Sequence, residues 1–258
     1  GPCHDGDLPT QIDAHQKPAP STCLLRFEPR TNLPDGDHPP AMELNHEAVT
    51  TPVRPAATVA LLRDGDQGLE VLLMKRHGDS DVLGGAHVFP GGKVDREDGD
   101  DELLARIDEP ALTLWQRLGE ADLDTPEAAA VFVAALRELF EEAGVLLAAP
   151  TPSPQLTTQV AGLLRSGHRF IEALALCGVT LSARQIVPWT RWITPRTPSV
   201  SRKRFDTRFF LAALPPGQQA RADEHEAVEI AWLRPREALR RYHERSIDLA
   251  PPQIMSLI

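Results

Sequence analysis

The chain has 258 residues, 41% of them apolar, enough for one domain with a sizeable core. No apolar run approaches the roughly 18 residues that a membrane-spanning helix needs, so membrane insertion is not expected. A net charge of −10 argues against a general nucleic-acid binder, which needs a surplus of Lys and Arg facing the phosphates.

Residues 1–55 hold 10 of the 24 prolines and only short apolar pieces, a texture that predicts an irregular arm lying on the domain or on a partner chain. The domain is expected to start at Ala56. AATVALLRDGDQGLEVLLMKR reads as two β-rich runs around an Asp-Gly-Asp-Gln-Gly turn, hence a hairpin. GGAHVFPGG predicts a short strand running into a Pro-Gly-Gly turn. Between 101 and 118 the apolar spacing is helical, but Pro110 splits it, so two short helices are expected. Thr125-Pro126-Glu127, with Thr125 as the capping candidate, opens a long helix that closes at Gly144. Residues 155–177 read as helical. VPWTRWITP, FDTRFFLAAL and AVEIAWL read as strands, PREALRRYHER as a long helix and PPQIMSL as a short one. This order implies an α/β fold, a mixed sheet with helices packed on it. Cys3, Cys23 and Cys177 lack the spacing of a disulfide framework or a zinc site, and nothing at the amino terminus resembles a secretory signal. The cytoplasm is the expected location.

The helix at 126–144 carries the chemistry. Projected at about 100° per residue from Glu138, Leu139, Phe132, Ala143, Leu136, Phe140 and Val133 occupy one arc, from about 100° to 220°. Glu141, Glu138 and Glu142 occupy another, from about 300° through zero to 40°, beside small Ala134. A glutamate-rich helix is also what a solvated face looks like. Against that reading, like charges three and four apart repel, and Arg137 gives the only relief within the helix. Clustered carboxylates offer hard oxygen ligands that suit Mg²⁺ or Mn²⁺ rather than zinc.

Arg137-Glu138-Leu139-Phe140-Glu141-Glu142-Ala143-Gly144-Val145 resembles the second half of the Nudix box, R-E-U-x-E-E-x-G-U, at every position. Gly92 resembles the glycine that opens the full pattern, G-x5-E-x7-R-E-U-x-E-E-x-G-U. Asp98, six residues on, stands where the family has Glu, and Glu97 has the same spacing from Gly91. From Asp98 to Arg137 there are 38 intervening residues where the family has seven, so the box is split by an insertion expected over 99–124. Arg106 stands at the unsplit spacing, but the two glutamates do not follow it. Split boxes resemble the coenzyme A diphosphatase subgroup related to Nudix hydrolase 19, as do GAHVFPGG, WITP, RFDT and LAPPQ in this chain. The fuller coenzyme A signature has an arginine four residues before Gly85; here that position is Asp81, with Arg76 as a substitute.

The resemblance implies a Nudix α/β/α sandwich over 56–258, and an enzyme that hydrolyses the diphosphate of coenzyme A or acyl-coenzyme A. ADP-ribose, a dinucleotide cofactor or another nucleotide diphosphate is the alternative substrate, and a non-catalytic Nudix-fold binding module is a further alternative. Glu138, Glu141 and Glu142 would hold Mg²⁺ or Mn²⁺, and Arg137 would orient them and tie down the glycine loop. Among Glu224, Glu226 and Glu229, Glu226 is the chosen general base. Phe89, Gly91, Gly92, Arg76 and Arg204 are the substrate-binding candidates. Arg202, Lys203 and Arg208 extend the basic group around Arg204, and Trp189, Trp192 and Phe89 are candidates to stack on a base. The resemblance also makes a homodimer plausible.

Overall fold

In the computed structural model, residues 48–78, 83–197, 203–221 and 227–258 are described. Strands β1 (Arg54–Gly65) and β2 (Gly68–Arg76) form the expected hairpin, with Leu62 opposite Val71 and Gly65 opposite Gly68. Beyond that register the two strands diverge, and the segment after them is wedged into the gap. β3 (His87–Val88) pairs with Lys75 and Met74 of β2, while β4 (Gly91–Lys93) pairs with residues 56–58 of β1. The Pro-Gly-Gly stretch is therefore a crossing between two strands of one sheet. β5 (Ile186–Ile193) pairs antiparallel with β6 (Phe205–Ala213), β6 runs parallel to β1, and β7 (Ala227–Leu233) pairs antiparallel with β2. The result is a seven-stranded mixed sheet.

Neighbouring residues of β2 enter different cores. Leu72 and Met74 join Val59, Leu61 and the helix at 125–143, while Val71 and Leu73 join Phe89, Phe209 and Leu257. Because side chains alternate along a strand, both faces of the sheet are covered, which makes the fold an α/β/α sandwich. The two short helices expected around Pro110 are α1 (Asp101–Leu104) and α2 (Ala111–Leu118). The long helix, α3, spans Thr125–Ala143. Its cap is Asp124, one residue before the expected Thr125. Asp124 accepts from the Glu127 amide at 2.8 Å, and Glu127 accepts in return from the Asp124 amide at 3.0 Å. Gly144 ends the helix in the left-handed conformation, φ 68°.

The stretch read as helical over 155–177 forms two helices, α4 (Pro154–Arg165) and α5 (Phe170–Cys177). Gly167, at φ 91°, breaks it, and the His168 amide turns back to the Leu163 carbonyl. α6 (Pro235–His243) and α7 (Pro251–Leu257) lie on the second face of the sheet, where Ala238 and Leu257 are buried. The arm predicted over 1–55 lies outside the described residues up to 47. Val49 donates to the Arg196 carbonyl, and β1 begins at Arg54, two residues before the expected domain start. Among the described residues no helix is long and apolar enough to cross a membrane.

Candidate active site

The six residues expected on the apolar arc of α3, Phe132, Val133, Leu136, Leu139, Phe140 and Ala143, are all in the core, and they press the helix onto β1 and β6. That seating decides where the other arc goes. Glu142 is 5% exposed and the Glu138 and Glu141 side chains 14% and 36%, so this arc is largely enclosed, with Glu141 at its open edge. It faces the glycine crossing.

Two contacts join the halves of the split box. The Gly91 amide donates to a Glu142 carboxylate oxygen at 2.7 Å, across 51 positions. At Gly92 a Cβ would stand 2.4–2.7 Å from the Glu138 carboxyl group, closer than real side chains pack, so the absence of a side chain there is what admits Glu138. Gly91 is equally crowded on its other side, where a Cβ would meet the Ala57 carbonyl oxygen at 2.4 Å.

Arg137 is the hub. Its Nε donates to Asp98 Oδ1 at 2.8 Å and its Nη2 to Asp98 Oδ2 at 2.9 Å, a bidentate fork. Nη1 donates at 2.9 Å to both Glu138 and Glu141, and Nη2 also donates to the Lys93 carbonyl at 3.0 Å. Arg137 thus ties the glycine segment to the helix, as expected. Of the two acids offered for the missing family glutamate, Asp98 holds the place. It is 1% exposed and also accepts from the Asp95 amide at 2.8 Å, whereas Glu97 is exposed. Asp95 also lies 3.7 Å from Arg137.

One guanidinium therefore hydrogen-bonds three carboxylates, those of Asp98, Glu138 and Glu141, with that of Asp95 nearby. Burial pushes the Glu138 carboxyl up to about 7, against the pull of Arg137, with Glu141 and Asp98 adding to the rise. Burial also raises Glu141, again opposed by Arg137. Burial works against the charge of Arg137, but the hydrogen bonds and charge of Asp98 outweigh it, and its pKa stands above the usual arginine value. Among the described residues no three acidic, His or Cys side chains already converge into a metal cage. Glu138 and Glu141 lean on Arg137, and Glu142 on the Gly91 amide. The donor set still fits a hard divalent ion: adjacent turns present carboxylate oxygens, and the cost of burying their charge is what a cation would relieve.

The other candidates are dispersed. Phe89 must be corrected from a base-stacking residue to a core residue: it is 2% exposed, edge-on to Phe209 at 6.4 Å between ring centres. Trp192 packs against the same core, and Trp189 is exposed. Arg208 is not open to a phosphate either. It is 2% exposed, bonded to Glu120 at 2.6 Å and to Asp206 at 3.0 Å. Arg191 joins the same group through Glu120, Asp122 and Asp206. Glu120 and Asp122 come from the inserted segment, so no local spacing announced them, whereas Asp206 stands two residues before Arg208 on β6. Arg204 donates to the Thr194 and Thr51 carbonyls, which puts two of its donors to structural use. Arg76 stands partly exposed at the end of β2. Glu229 lies opposite Lys75, which shares the sheet face of Val71 and Leu73, so it stands across the sheet from α3. Beside it, His87 is buried and held below the usual histidine range by burial and then by Lys75. Glu224, Glu226, Asp81 and Arg202 lie outside the described residues.

The chain is 30% identical over 242 residues to human (Homo sapiens) acyl-coenzyme A diphosphatase NUDT19, covering 80% of this chain and 62% of that protein. It is 30% identical over 237 residues to the protein of the same name from Gallus gallus, covering 73% and 60%. The chain thus spans about three fifths of the length of these curated relatives. The crystal structure of a NUDIX hydrolase from Alicyclobacillus acidocaldarius superposes with a TM-score of 0.62 at 28% identity, covering 81% of this chain and 90% of the other. Residues 47–258 match the model of the NUDT19 Nudix domain, and the chain belongs to that family.

Proposed function

We propose that this domain hydrolyses the diphosphate linkage of coenzyme A or acyl-coenzyme A, giving 3′,5′-ADP and 4′-phosphopantetheine or its acyl form. The observation that carries the reading is the Arg137 fork. It brings Asp98 and the glycine crossing from one half of the box to Glu138 and Glu141 from the other, and so assembles an acidic oxygen site on one side of α3. The names of the human and chicken relatives support the choice of substrate.

Nudix hydrolases use divalent ions, and Mg²⁺ or Mn²⁺ is proposed here, held by Glu138, Glu141 and Glu142. Such an ion, when bound, neutralises diphosphate oxygens and acidifies a water. The chain's own part is positioning. Arg137 keeps Glu138 and Glu141 from separating, and the Glu142 bond to the Gly91 amide fixes the crossing against the helix. Arg137 is accordingly a positioning residue. Glu226 is proposed as the base that accepts the proton of the attacking water, and Arg76 as the substitute for the arginine of the coenzyme A signature. The reading includes a domain over 56–258 interrupted at 99–124, a homodimer and a cytoplasmic location. Light scattering and cell fractionation test the last two.

The main test incubates the full chain with coenzyme A, acyl-coenzyme A, ADP-ribose and a dinucleotide cofactor, with Mg²⁺ or Mn²⁺, and identifies products by mass. Cleavage of the coenzyme A compounds to 3′,5′-ADP is expected. Much faster cleavage of ADP-ribose overturns the substrate assignment. If Glu141→Gln and Glu142→Gln proteins match wild type on every compound, the catalytic assignment falls and a binding module takes its place.

A further inference from the structure

The LAPPQ segment takes no part in the split box, yet the structure sets it against the strand that feeds the glycine crossing. β3 is only two residues long, and His87 is held on both of its sides. It stands opposite Lys75 of β2, while its amide donates to the Asp248 carbonyl at 2.8 Å and its backbone bridges Leu249 in parallel. Leu249, Ala250 and Gln253 are buried, so LAPPQ is a packed border to β3. Phe89, two residues after His87, is buried in the second-face core, and Gly91, two further on, donates to Glu142 at 2.7 Å. At about 3.5 Å per residue, no more than about 14 Å of chain separates His87 from that bond. A shift of β3 is carried straight into the crossing.

The His87 side chain is placed to stay neutral. It is 7% exposed, and its Nδ1 has no hydrogen-bond partner among the described residues. The charged groups around it are Lys75 from β2, Glu229 from β7 and Arg241 from α6, with Asp248, beside Lys75, on the connection to α7. α7 itself carries no ionisable side chain. Glu229 lies opposite Lys75, and Asp248 is held above the usual carboxylate range by its own burial. Burial, then Lys75, and Arg241 after them keep the imidazole below the usual histidine range, against the pull of Glu229. A second proton on the ring would leave a buried N–H without an acceptor beside two cations.

We propose that His87 is a positioning residue: uncharged, it seats β3 against the LAPPQ segment and so keeps the Gly91 amide on Glu142, and a proton on its ring releases the crossing. The inference rests on the function proposed above, but one arm of its test needs no substrate. NMR of the full chain with Mg²⁺ follows the His87 ring and the Gly91 amide from about pH 8 down to the onset of acid unfolding. A Gly91 step that shares the midpoint of the ring, below its ordinary value of 6.5, is expected, and it should vanish in His87→Gln. A ring that titrates without moving Gly91, a Gly91 step that survives in His87→Gln, or a ring that stays neutral until the protein unfolds overturns the proposal. In coenzyme A hydrolysis with Mg²⁺, kcat of wild type relative to His87→Gln should fall about tenfold at about one pH unit below the ring's midpoint, where roughly nine tenths of the rings are charged. A ratio that stays flat across that range also overturns it. His87→Asn replaces His87→Gln if the latter does not fold, and failing both, the coincidence of the two wild-type midpoints decides. If no coenzyme A compound is cleaved at any pH, the substrate reading falls, while the NMR arm still decides the role of His87.

Discussion

Replacing Asp98 by Ala removes the acid that stands in for the family glutamate and exposes what that acid contributes. The side chain is 1% exposed, receives two bonds from Arg137 at 2.8 and 2.9 Å, and accepts a third from the Asp95 amide at 2.8 Å. Breaking a buried ion pair by removing one partner costs about 3–5 kcal/mol, because the remaining charge loses its compensation. Here Arg137 keeps Glu138 and Glu141, which places the expected loss near the lower end, about 3 kcal/mol. At roughly 2–4 °C per kcal/mol for a domain of this size, the melting temperature should fall by about 6–12 °C. The freed guanidinium would hold Glu138 and Glu141 more tightly, so the concentration of Mg²⁺ or Mn²⁺ giving half-maximal activity should rise about 10–100-fold. Urea unfolding and metal titration of the hydrolysis rate measure the two effects, with Glu97→Ala as the control. Asp98→Glu keeps the fork but adds a methylene to a filled site, at about 1–3 kcal/mol. An Asp98→Ala protein as stable as wild type, or a Glu97→Ala protein that loses as much, would refute the assignment of Asp98 to the glutamate position.

Gly92→Ala should separate activity from stability. The new Cβ meets only the end of the Glu138 side chain, which can move, so a melting shift under about 2 °C should accompany a loss of more than about tenfold in kcat. Gly91→Ala meets the Ala57 carbonyl instead and should destabilise strongly in the same melt. The raised Glu138 carboxyl favours the folded state when protonated, a contribution present below its ordinary value of 4.5 and lost as pH rises through about 7. Metal-free protein should therefore lose stability across that window in urea titrations, and Glu138→Gln should flatten that part of the profile. Removing Glu120 leaves the buried Arg208 with Asp206 alone from this group; Glu120→Ala should cost about 3 kcal/mol in urea unfolding and leave kcat within about threefold.

The sequence by itself determined the elements, because their signals are local. The two β-rich runs and their turn through 56–76, the break at Pro110, the apolar arc of α3 and the closing Gly144 each act within a few residues, and each appears in the fold. The nine-residue box was legible for the same reason, since it is one unbroken stretch of α3 that resembles a family pattern at every position. What lay beyond the sequence was every partner set by distance in the chain. Only the seating of α3 on the sheet decided between Asp98 and Glu97, because one of them reaches a buried guanidinium 39 positions away and the other points to water. Only the packing of the inserted segment showed that Arg208, basic and near RFDT, is spent on Glu120, 88 positions away. Phe89 reads equally well as a stacking ring or a core ring until the second face of the sheet is covered. Helical and strand periodicity record which side of an element is apolar; which charge meets which is fixed by close packing of elements far apart in the chain, and that is decided in three dimensions.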